Sequence, residues 1–514
     1  LRMRLPLAVI ILLALGLPAP SDAQTIDELQ KSIAATTDRA AQAKLQKQLG
    51  DALVAKDDIE QGAAAYAKAL AAGRESFSPS DRLRMAIYLS WADRLEESEH
   101  ELRLILDKDP KNTAARTHLA RVLAWSGELN QAVAQADRVL REEPGHKDAL
   151  LVRADALQWQ GRYLEAIPVY RQVLAKEEDF DARVGLSRSL LAVGDRMGAN
   201  EILRSLKPAN ARQKRELARL SDTIERETAP VLDARYNYYT DSDNNRLDRY
   251  SLGGSFWVGN QRYGLDYRHT DARDRTRDNR GDDFLVSVYS RLTDRFSAGA
   301  GLGFTQLGDG GTSNFGTGHV RVDARLFAGR AGVNVTREVL TDTAELIENR
   351  IRMTNVGLYL TQPLTERLST HAGYRYRSFS DGNHANELQL VTQYAVVLAP
   401  RITIGHRFRY LDFHDQSGSG YFDPNNYIAN RAFTSLYYEN RLFYTYLEGY
   451  FGYQTFRRNG AASDDWIHGG SGSIGIKPLA NLAIEVNAEG GNFAAGSTSG
   501  FNYFIIGPRI VYRF

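Results

Sequence analysis

The chain lacks several features that would point to common classes of protein. Its 514 residues include no cysteine, which excludes disulfides, thiolate metal ligands and a cysteine nucleophile. Its 64 basic and 63 acidic residues nearly cancel, and no basic tract is interleaved with aromatics, so nucleic-acid binding is not expected. After residue 24, no unbroken apolar run reaches the length of a membrane-spanning helix, about 20 residues. Alternating strands could still cross a bilayer, because only their outer face meets lipid.

The N-terminus has the pattern of a secretory signal peptide. Two arginines precede the apolar run Leu5 to Leu17, and the small residues Ser21 and Ala23 follow it. This arrangement predicts a signal peptide at 1–23 and a mature chain that begins at Gln24. An uncleaved anchor is the alternative, but the apolar run has only 13 residues, which is short for a spanning helix.

Between residues 24 and 227, small residues recur at a constant interval. Gly127 and Gly161 are 34 positions apart, and Ala132 and Ala166 follow each of them by five. This spacing resembles the tetratricopeptide repeat, a helix–turn–helix unit, and implies an α-solenoid. Repeat units are predicted at 79–112, 113–146, 147–179 and, in degenerate form, 180–212, with an earlier helical pair at 45–70 and a final helix at 211–227. Residues 228–230 are predicted to form a linker.

Three tryptophans follow the same interval. Trp91, Trp125 and Trp159 each lie two residues before the turn of their unit. They could pack between neighbouring units and stiffen the array, which is the first interpretation. The alternative is that they line the concave groove and stack on sugar rings or bind a partner peptide.

From Val231 to Phe514 the chain alternates apolar and polar residues in short runs. Runs of about ten residues bounded by turn signals predict sixteen antiparallel strands. Short connections such as 259–261 alternate with longer segments, predicted to be external loops at 272–282, 340–349, 414–426, 455–467 and 492–502. An even strand count and this asymmetry favour a transmembrane β-barrel at 231–514 over a soluble sandwich. Ile510, Tyr512 and Phe514 share an apolar face that resembles the signal read by the outer-membrane assembly machinery.

The alternation also predicts which charged side chains face the barrel lumen. In the run 401–410, Ile404 and Phe408 lie on one face, and arginines lie on the other. The predicted lumen residues are Arg321, Arg325, Arg375, Arg377, Arg407, Arg409, Glu485 and Glu489. They could form ion pairs that support the wall, or line a polar conduit. Mixed signs suit a neutral or weakly charged glycan better than a selective ion pore.

One loop segment carries a distinctive motif. Residues 418–427 read Gly-Ser-Gly-Tyr-Phe-Asp-Pro-Asn-Asn-Tyr, and the glycines and proline are expected to fix a turn that exposes Tyr421 and Phe422. The turn could hold these two residues outside the barrel or fold them back toward the lumen. Together with the repeats, this segment resembles the Gly-Tyr-Tyr/Phe-Ser-Pro-x-x-Tyr signature of cellulose and related exopolysaccharide export porins. The corresponding positions are Tyr421, Phe422, Asp423, Pro424 and Tyr427. Asp423 stands where that family has serine.

The resemblance implies an α + β multidomain protein of the outer membrane. The repeats at 24–227 would lie in the periplasm and bind synthase or modification proteins. The barrel, expected to be monomeric and in contact with lipid and lipopolysaccharide, would export a polysaccharide chain. No histidine of the strand region lies in a nucleophile, zinc or phosphate motif, so no enzyme activity, metal or cofactor is expected. The alternative is a YaiO-like closed barrel that acts as a receptor or assembly protein.

Overall fold

The computed structural model describes residues 25–308, 312–326, 328–365, 367–493 and 502–514. The predicted signal peptide at 1–23 lies outside the described residues, as does most of the predicted loop 492–502. The chain divides into two compact units. One contains residues 25–189 and 205–217, and the other contains residues 190–204 and 218–514.

Within the described residues, twelve α-helices and one short 3₁₀ turn (74–76) precede the first strand. The helices are α1 Ile26–Ala35, α2 Arg39–Ala55, α3 Ile59–Gly73, α4 Pro79–Trp91, α5 Leu95–Lys108, α6 Thr113–Trp125, α7 Leu129–Glu142, α8 Lys147–Trp159, α9 Tyr163–Leu174, α10 Phe180–Ala192, α11 Arg196–Ser205 and α12 Ala211–Thr228. None of the described helices is long and apolar enough to cross a membrane. The predicted repeats are confirmed as helix pairs α4–α5, α6–α7 and α8–α9.

The recurring turn residues have a backbone reason. Asp93, Gly127, Gly161 and Gly194 all have positive φ, at 62°, 87°, 76° and 84°. A left-handed residue is needed there to reverse the chain after each first helix, and glycine adopts that conformation without a steric penalty. Backbone geometry therefore restricts which residues fit the turn position. This is why the turn residue recurs from repeat to repeat although most other positions differ.

The small residues five positions later sit where two helices of a unit touch. Ser98, Ala132 and Ala166 are fully buried. The Ser98 hydroxyl donates to the Ala86 carbonyl oxygen at 2.7 Å, which shows how closely α5 passes α4. A longer side chain at these positions would have to push the helices apart.

The second part of the chain is a closed antiparallel barrel of sixteen strands, which confirms the predicted fold. Each strand pairs with its sequence neighbours, and β1 closes the ring by pairing with β16, from Val231 opposite Arg513 to Asp241 opposite Tyr503. The strands are β1 Val231–Asp241, β2 Arg246–Val258, β3 Gln261–Arg273, β4 Asp278–Arg291, β5 Phe296–Gly308, β6 Thr312–Leu326, β7 Gly329–Val339, β8 Arg352–Pro363, β9 Leu368–Phe379, β10 His384–Leu398, β11 Arg401–Phe413, β12 Asn425–Glu439, β13 Phe443–Arg458, β14 Ala461–Leu479, β15 Leu482–Gly491 and β16 Tyr503–Arg513.

Two predicted loops are wrong, because they are strand hairpins. The segment 272–282 contains only a short turn between β3 and β4, and 455–467 contains a two-residue turn between β13 and β14. Asn459 and Gly460 both have positive φ, as an Asn-Gly hairpin turn requires. Most side chains near these turns are polar, so the alternation that marks the other strands is weak there.

The barrel is apolar outside and polar inside. Leu302 of β5 is 79% exposed and Ile404 of β11 is also exposed, whereas the neighbouring Thr403 is buried. His406 lies in the same outward register as Ile404 and is exposed. A water-soluble sandwich would bury its apolar face, so this inverted arrangement indicates a membrane-spanning barrel.

Candidate functional site

The lumen wall contains a cluster of arginines around one carboxylate. Glu387 of β10 is 1% exposed and accepts from Arg409 Nε at 2.7 Å, from Arg375 Nη1 at 3.5 Å and from Arg377. Register explains this convergence, because Glu387 pairs directly with Arg375 on β9, and Arg377 and Arg409 lie on the same inward face. Three guanidinium groups share one carboxylate, so the cluster is net positive.

Two further arginines extend this basic wall along the lumen. Arg407 makes two hydrogen bonds to Glu448 of β13, at 2.5 and 2.7 Å. Arg431 of β12 has no ion-pair partner among the described carboxylates and lies over the Phe493 ring, 4.2 Å from its centroid. A cation over an aromatic face is partly stabilised, but it keeps its positive charge available to a ligand.

The other predicted lumen residues also lie on the inward face. Arg321 bonds Asp323 at 2.7 Å, and Arg325 shares its register on β6. On β15, Glu485 accepts from the Tyr444 hydroxyl at 2.8 Å, and Glu489 accepts from the Tyr503 hydroxyl at 2.6 Å. The structure brings Arg375, Arg377 and Arg409 together around Glu387, places Arg407 farther along the same wall and leaves the remaining four apart.

Sequence reasoning missed the residues that organise this wall, Glu387, Glu448 and Arg431. A usable signal existed for two of them, because Glu387 lies in step with Gln389 on β10 and Glu448 lies in step with Tyr446 on β13. Arg431 lies between the inward Ala429 and Phe433 on β12, so its neighbours gave no such signal. The sequence alone does not give the strand register, which places Glu387 opposite Arg375.

Two loops fold into one end of the barrel, and we call residues 340–351 and 414–424 together the plug. The first carries α13 (Ala344–Glu348) between β7 and β8, and the second joins β11 to β12. Ala344 and Ile347 pack against inward-facing residues of β2, β3 and β5. Leu346 and the second loop pack in a cluster with inward-facing residues of β9–β14 and β16. The plug therefore spans the lumen from wall to wall.

The expected exposure of Tyr421 and Phe422 is wrong, because both fold back into the lumen, the second of the two expected positions, and belong to the plug. They are 1% and 3% exposed. The Tyr421 ring stacks on Phe379 of β9 with centroids 4.5 Å apart, and its hydroxyl donates to Asp381 at 2.7 Å. A loop that carries two large aromatic side chains gains more by burying them in the barrel mouth than by presenting them to water.

The remaining motif residues tie the plug to the wall. Asp423 is buried and accepts from Ser417 N at 2.7 Å and from Arg458 Nε at 3.3 Å. Arg458 thus supplies a counter-charge for the aspartate that replaces serine. The Pro424 carbonyl accepts from Phe413 N at 3.1 Å, and the Tyr427 hydroxyl donates to Gln454 at 3.0 Å.

Polar contacts hold the first loop of the plug to the rim and to the second loop. Arg277 Nε lies 2.5 Å from Glu348, and Arg249 Nη2 lies 3.1 Å from Asp342. The two loops are joined by the Asn349 amide, which donates to the Ser419 carbonyl at 3.1 Å. Because these groups are partly exposed, the contacts are individually weak.

A cavity of about 430 Å³ lies beneath the plug. It is bounded by the basic wall on one side, by β3, β7 and β8 on another, and by plug aromatics. Its lining includes Arg268, Glu338, Asn355, Arg375, Arg377, Glu387, Gln389, Arg409, Tyr421, Phe422, Arg431 and Phe493.

In the helical unit, the three candidate tryptophans end α4, α6 and α8. Trp91 lies edge-on against Tyr88 at 4.9 Å between centroids, and Trp125 lies edge-on against His118 at 6.4 Å. Both are half-buried, whereas Trp159 is 38% exposed. The first two have packing partners, and Trp159 offers the most accessible indole.

Equivalent positions of successive first helices carry Arg121, Asp155 and Arg188. Arg121 lies 3.3 Å from Asp148, and Arg188 pairs with Glu216. Asp155 accepts from the Tyr170 hydroxyl at 2.6 Å, but burial raises the pKa of its carboxyl to about 6. The central carboxyl of this row therefore lies between two arginines of neighbouring units, and its pKa is well above the ordinary value of an aspartate.

Comparison with known proteins gives these results. Residues 92–156 match the family model of the tetratricopeptide repeat. No curated protein matches the chain. Similar solved structures include a "Bacterial polysaccharide outer membrane secretin", 11% identical over 56% of this chain and 99% of that chain, with a TM-score of 0.47. CdiB from Acinetobacter baumannii is 11% identical over 56% of this chain and 60% of that chain (TM-score 0.38). A tetratricopeptide repeat protein from Parabacteroides merdae is 14% identical over 39% and 77% (TM-score 0.34). The chain thus combines tetratricopeptide repeats with a closed sixteen-strand barrel.

The raised pKa of Asp155 predicts a pH-dependent stability of the helical unit. The folded state holds the proton up to about pH 6, whereas an unfolded aspartate loses it near pH 3.9. The free energy of unfolding should therefore fall as pH rises from about 4 through 6, by about 1–3 kcal/mol. Asp155→Asn removes the titrating carboxyl and with it this loss of stability. The variant should therefore have a larger free energy of unfolding than the parent at pH 7.5 but not at pH 4.

Urea unfolding of the full chain in detergent, followed by the helical circular dichroism signal, measures this difference. Asp107→Asn, an exposed change on α5, is the matched control and should not alter the pH profile. Equal profiles for the parent and Asp155→Asn would show that the Asp155 carboxyl is not buried in the way described.

Proposed function

We propose that the protein is an outer-membrane porin that exports an exopolysaccharide through its barrel. The observation that carries this proposal is the charged, hydrogen-bonding inward face of a barrel with an apolar outside. Hydroxyl-rich chains exchange water for such groups at little cost, whereas an apolar channel would exclude them. The repeats and the motif at 418–427 resemble those of exopolysaccharide export porins. This resemblance supports a polysaccharide as the exported molecule.

The proposed orientation places the helical repeats in the periplasm. Barrels of this kind have both strand termini on the periplasmic side. The repeats precede β1, and the plug lies at the opposite ends of the strands, after β7 and β11. The plug therefore closes the outer mouth, where it would retain the polymer and exclude external solutes until export begins.

Export requires the plug to leave the lumen. Its core is apolar, but its links to the rim are polar and partly exposed. Gly418 and Gly420 have φ of 65° and 95°, and both lie just before Tyr421 in the second loop of the plug. Glycines in that conformation make suitable hinges, because a swing of the loop meets few steric barriers.

The repeats would recruit synthase or modification proteins, or guide the emerging chain. Solenoids of this type bind partners along an extended surface. The exposed Trp159 and the arginines Arg121 and Arg188 provide aromatic and charged groups for such a contact.

A closed receptor or assembly protein is the second candidate, and the plug is the observation that favours it. A lumen filled by its own loops needs no transport function if the loops never move. The two candidates differ in whether the barrel can conduct.

Removing plug aromatics should open the pore. In planar bilayers the parent should be mostly closed, whereas Tyr421→Ala/Phe422→Ala should show frequent large openings because the plug loses its buried rings. The control Phe451→Ala/Tyr453→Ala removes two rings from the outward face of β13 and should stay closed. A variant lacking residues 414–424 should conduct continuously. A barrel that stays closed after deletion of both plug loops would contradict export and support the receptor.

Deleting the repeats should separate secretion from membrane insertion. A chain without residues 25–227 but with its first 24 residues should still insert, since the barrel's strand pairs are complete without them. Polymer in the medium should fall to background in the native host, while heat-modifiable gel migration reports a folded barrel. Normal secretion by this variant would contradict the scaffold role.

A further inference from the structure

The cavity beneath the plug has the size and composition of a ligand site. Its volume of about 430 Å³ falls within the range of small-molecule pockets, about 300–1,000 Å³. It lies where a polymer moving along the lumen would meet the plug, and it joins charged groups to aromatic faces.

The cavity carries an excess of positive charge on its basic wall. Glu387 is already shared by three arginines, so it has no capacity to neutralise a fourth. Arg431 has no ion-pair partner among the described carboxylates, and Glu448, the other acid of this wall, is engaged by Arg407. Both nearby carboxylates are already paired with other arginines. The positive charge of Arg431 is therefore available for a ligand to neutralise.

Acceptors lie on the other side of the same cavity. The Glu338 carboxylate on β7 has no direct ion-pair partner among the described residues. Asn355 Oδ1 on β8 is buried without a hydrogen-bond partner. Buried polar atoms without partners are costly, and ligand hydroxyls could donate to both acceptors.

The aromatic residues give the site a preferred ligand shape. Phe493 lies against the guanidinium of Arg431, and Tyr421 and Phe422 close the cavity from the plug. Ring faces of this kind pack against the C–H faces of sugars, while hydroxyls and a carboxylate at the sugar edge meet the polar groups.

We infer that this cavity binds an acidic sugar of the exported polymer, a uronate whose carboxylate pairs with Arg431 and whose hydroxyls donate to Glu338 and Asn355. This inference rests on the proposed export function and names its substrate class. It also replaces the neutral or weakly charged glycan expected from the mixed charges of the lumen. A neutral chain would leave Arg431 without a counter-charge in a confined, partly dehydrated site.

Calorimetric titration of the purified full chain in detergent tests the inference with defined probes. Oligogalacturonate should bind, and a cello-oligosaccharide of equal length should bind at least tenfold more weakly. Arg431→Gln should weaken oligogalacturonate binding about tenfold or more, the effect expected on loss of a charged hydrogen bond. Arg441→Gln, on the exposed turn between β12 and β13, is the control and should bind like the parent.

A second variant acts in the opposite direction. Glu338→Gln removes a carboxylate that repels the uronate and keeps hydrogen-bonding capacity, so oligogalacturonate should bind more tightly. Heat-modifiable migration confirms that each variant is folded. Equal binding of the acidic and neutral probes, or no effect of Arg431→Gln in a folded barrel, would overturn the inference.

The outcomes distinguish this inference from the export proposal. Openings in the plug variants without oligogalacturonate binding would leave export standing and refute the acidic-sugar site. Oligogalacturonate binding to a barrel that stays closed without its plug would support the site and refute export.

Discussion

The backbone pairing of β1 with β16 is the constraint on which the rest of the barrel depends. In a bilayer no water satisfies an open strand edge, so a sheet can cross only if its first and last strands meet. Once the ring is closed, successive side chains alternate between lipid and lumen. Every charged side chain at an inward position therefore lies in the enclosed lumen. Its ion-pair and hydrogen-bond partners are mainly the inward residues of neighbouring strands.

That confinement explains how the lumen is organised. Charges taken out of bulk water are tolerated when they pair, and Arg321–Asp323, Arg407–Glu448 and Arg509–Asp233 do so. The Glu387 cluster and Arg431 give the lumen an excess of positive charge. The plug covers this charge at one end of the barrel. The same features underlie the proposed resting barrier and the proposed preference of the cavity for acidic ligands.

The sequence predicted the periodic parts of this structure because their causes are local. Positive φ fixes Gly127 and Gly161 in the repeat turns, and strand alternation assigns Arg375 and Glu485 to the lumen. The position of Tyr421 could not be predicted in this way, since its burial depends on Phe379, which lies 42 residues earlier in the chain. The partners of Glu387 required the register of three strands. The hairpin at Asn459-Gly460 could have been predicted from its turn dipeptide.

The central claim is that the plug must leave the lumen before polymer can pass. A cysteine pair at Phe379 and Tyr421, whose rings stack at 4.5 Å, tests it most directly in a chain that has no cysteine of its own. Bridged by a disulfide or a short bifunctional thiol reagent, this pair tethers the plug to β9. The account predicts that polymer secretion stops when the tether is closed and resumes when it is opened, while each single-cysteine variant secretes throughout. Undiminished secretion with the tether shown to be closed would contradict the account.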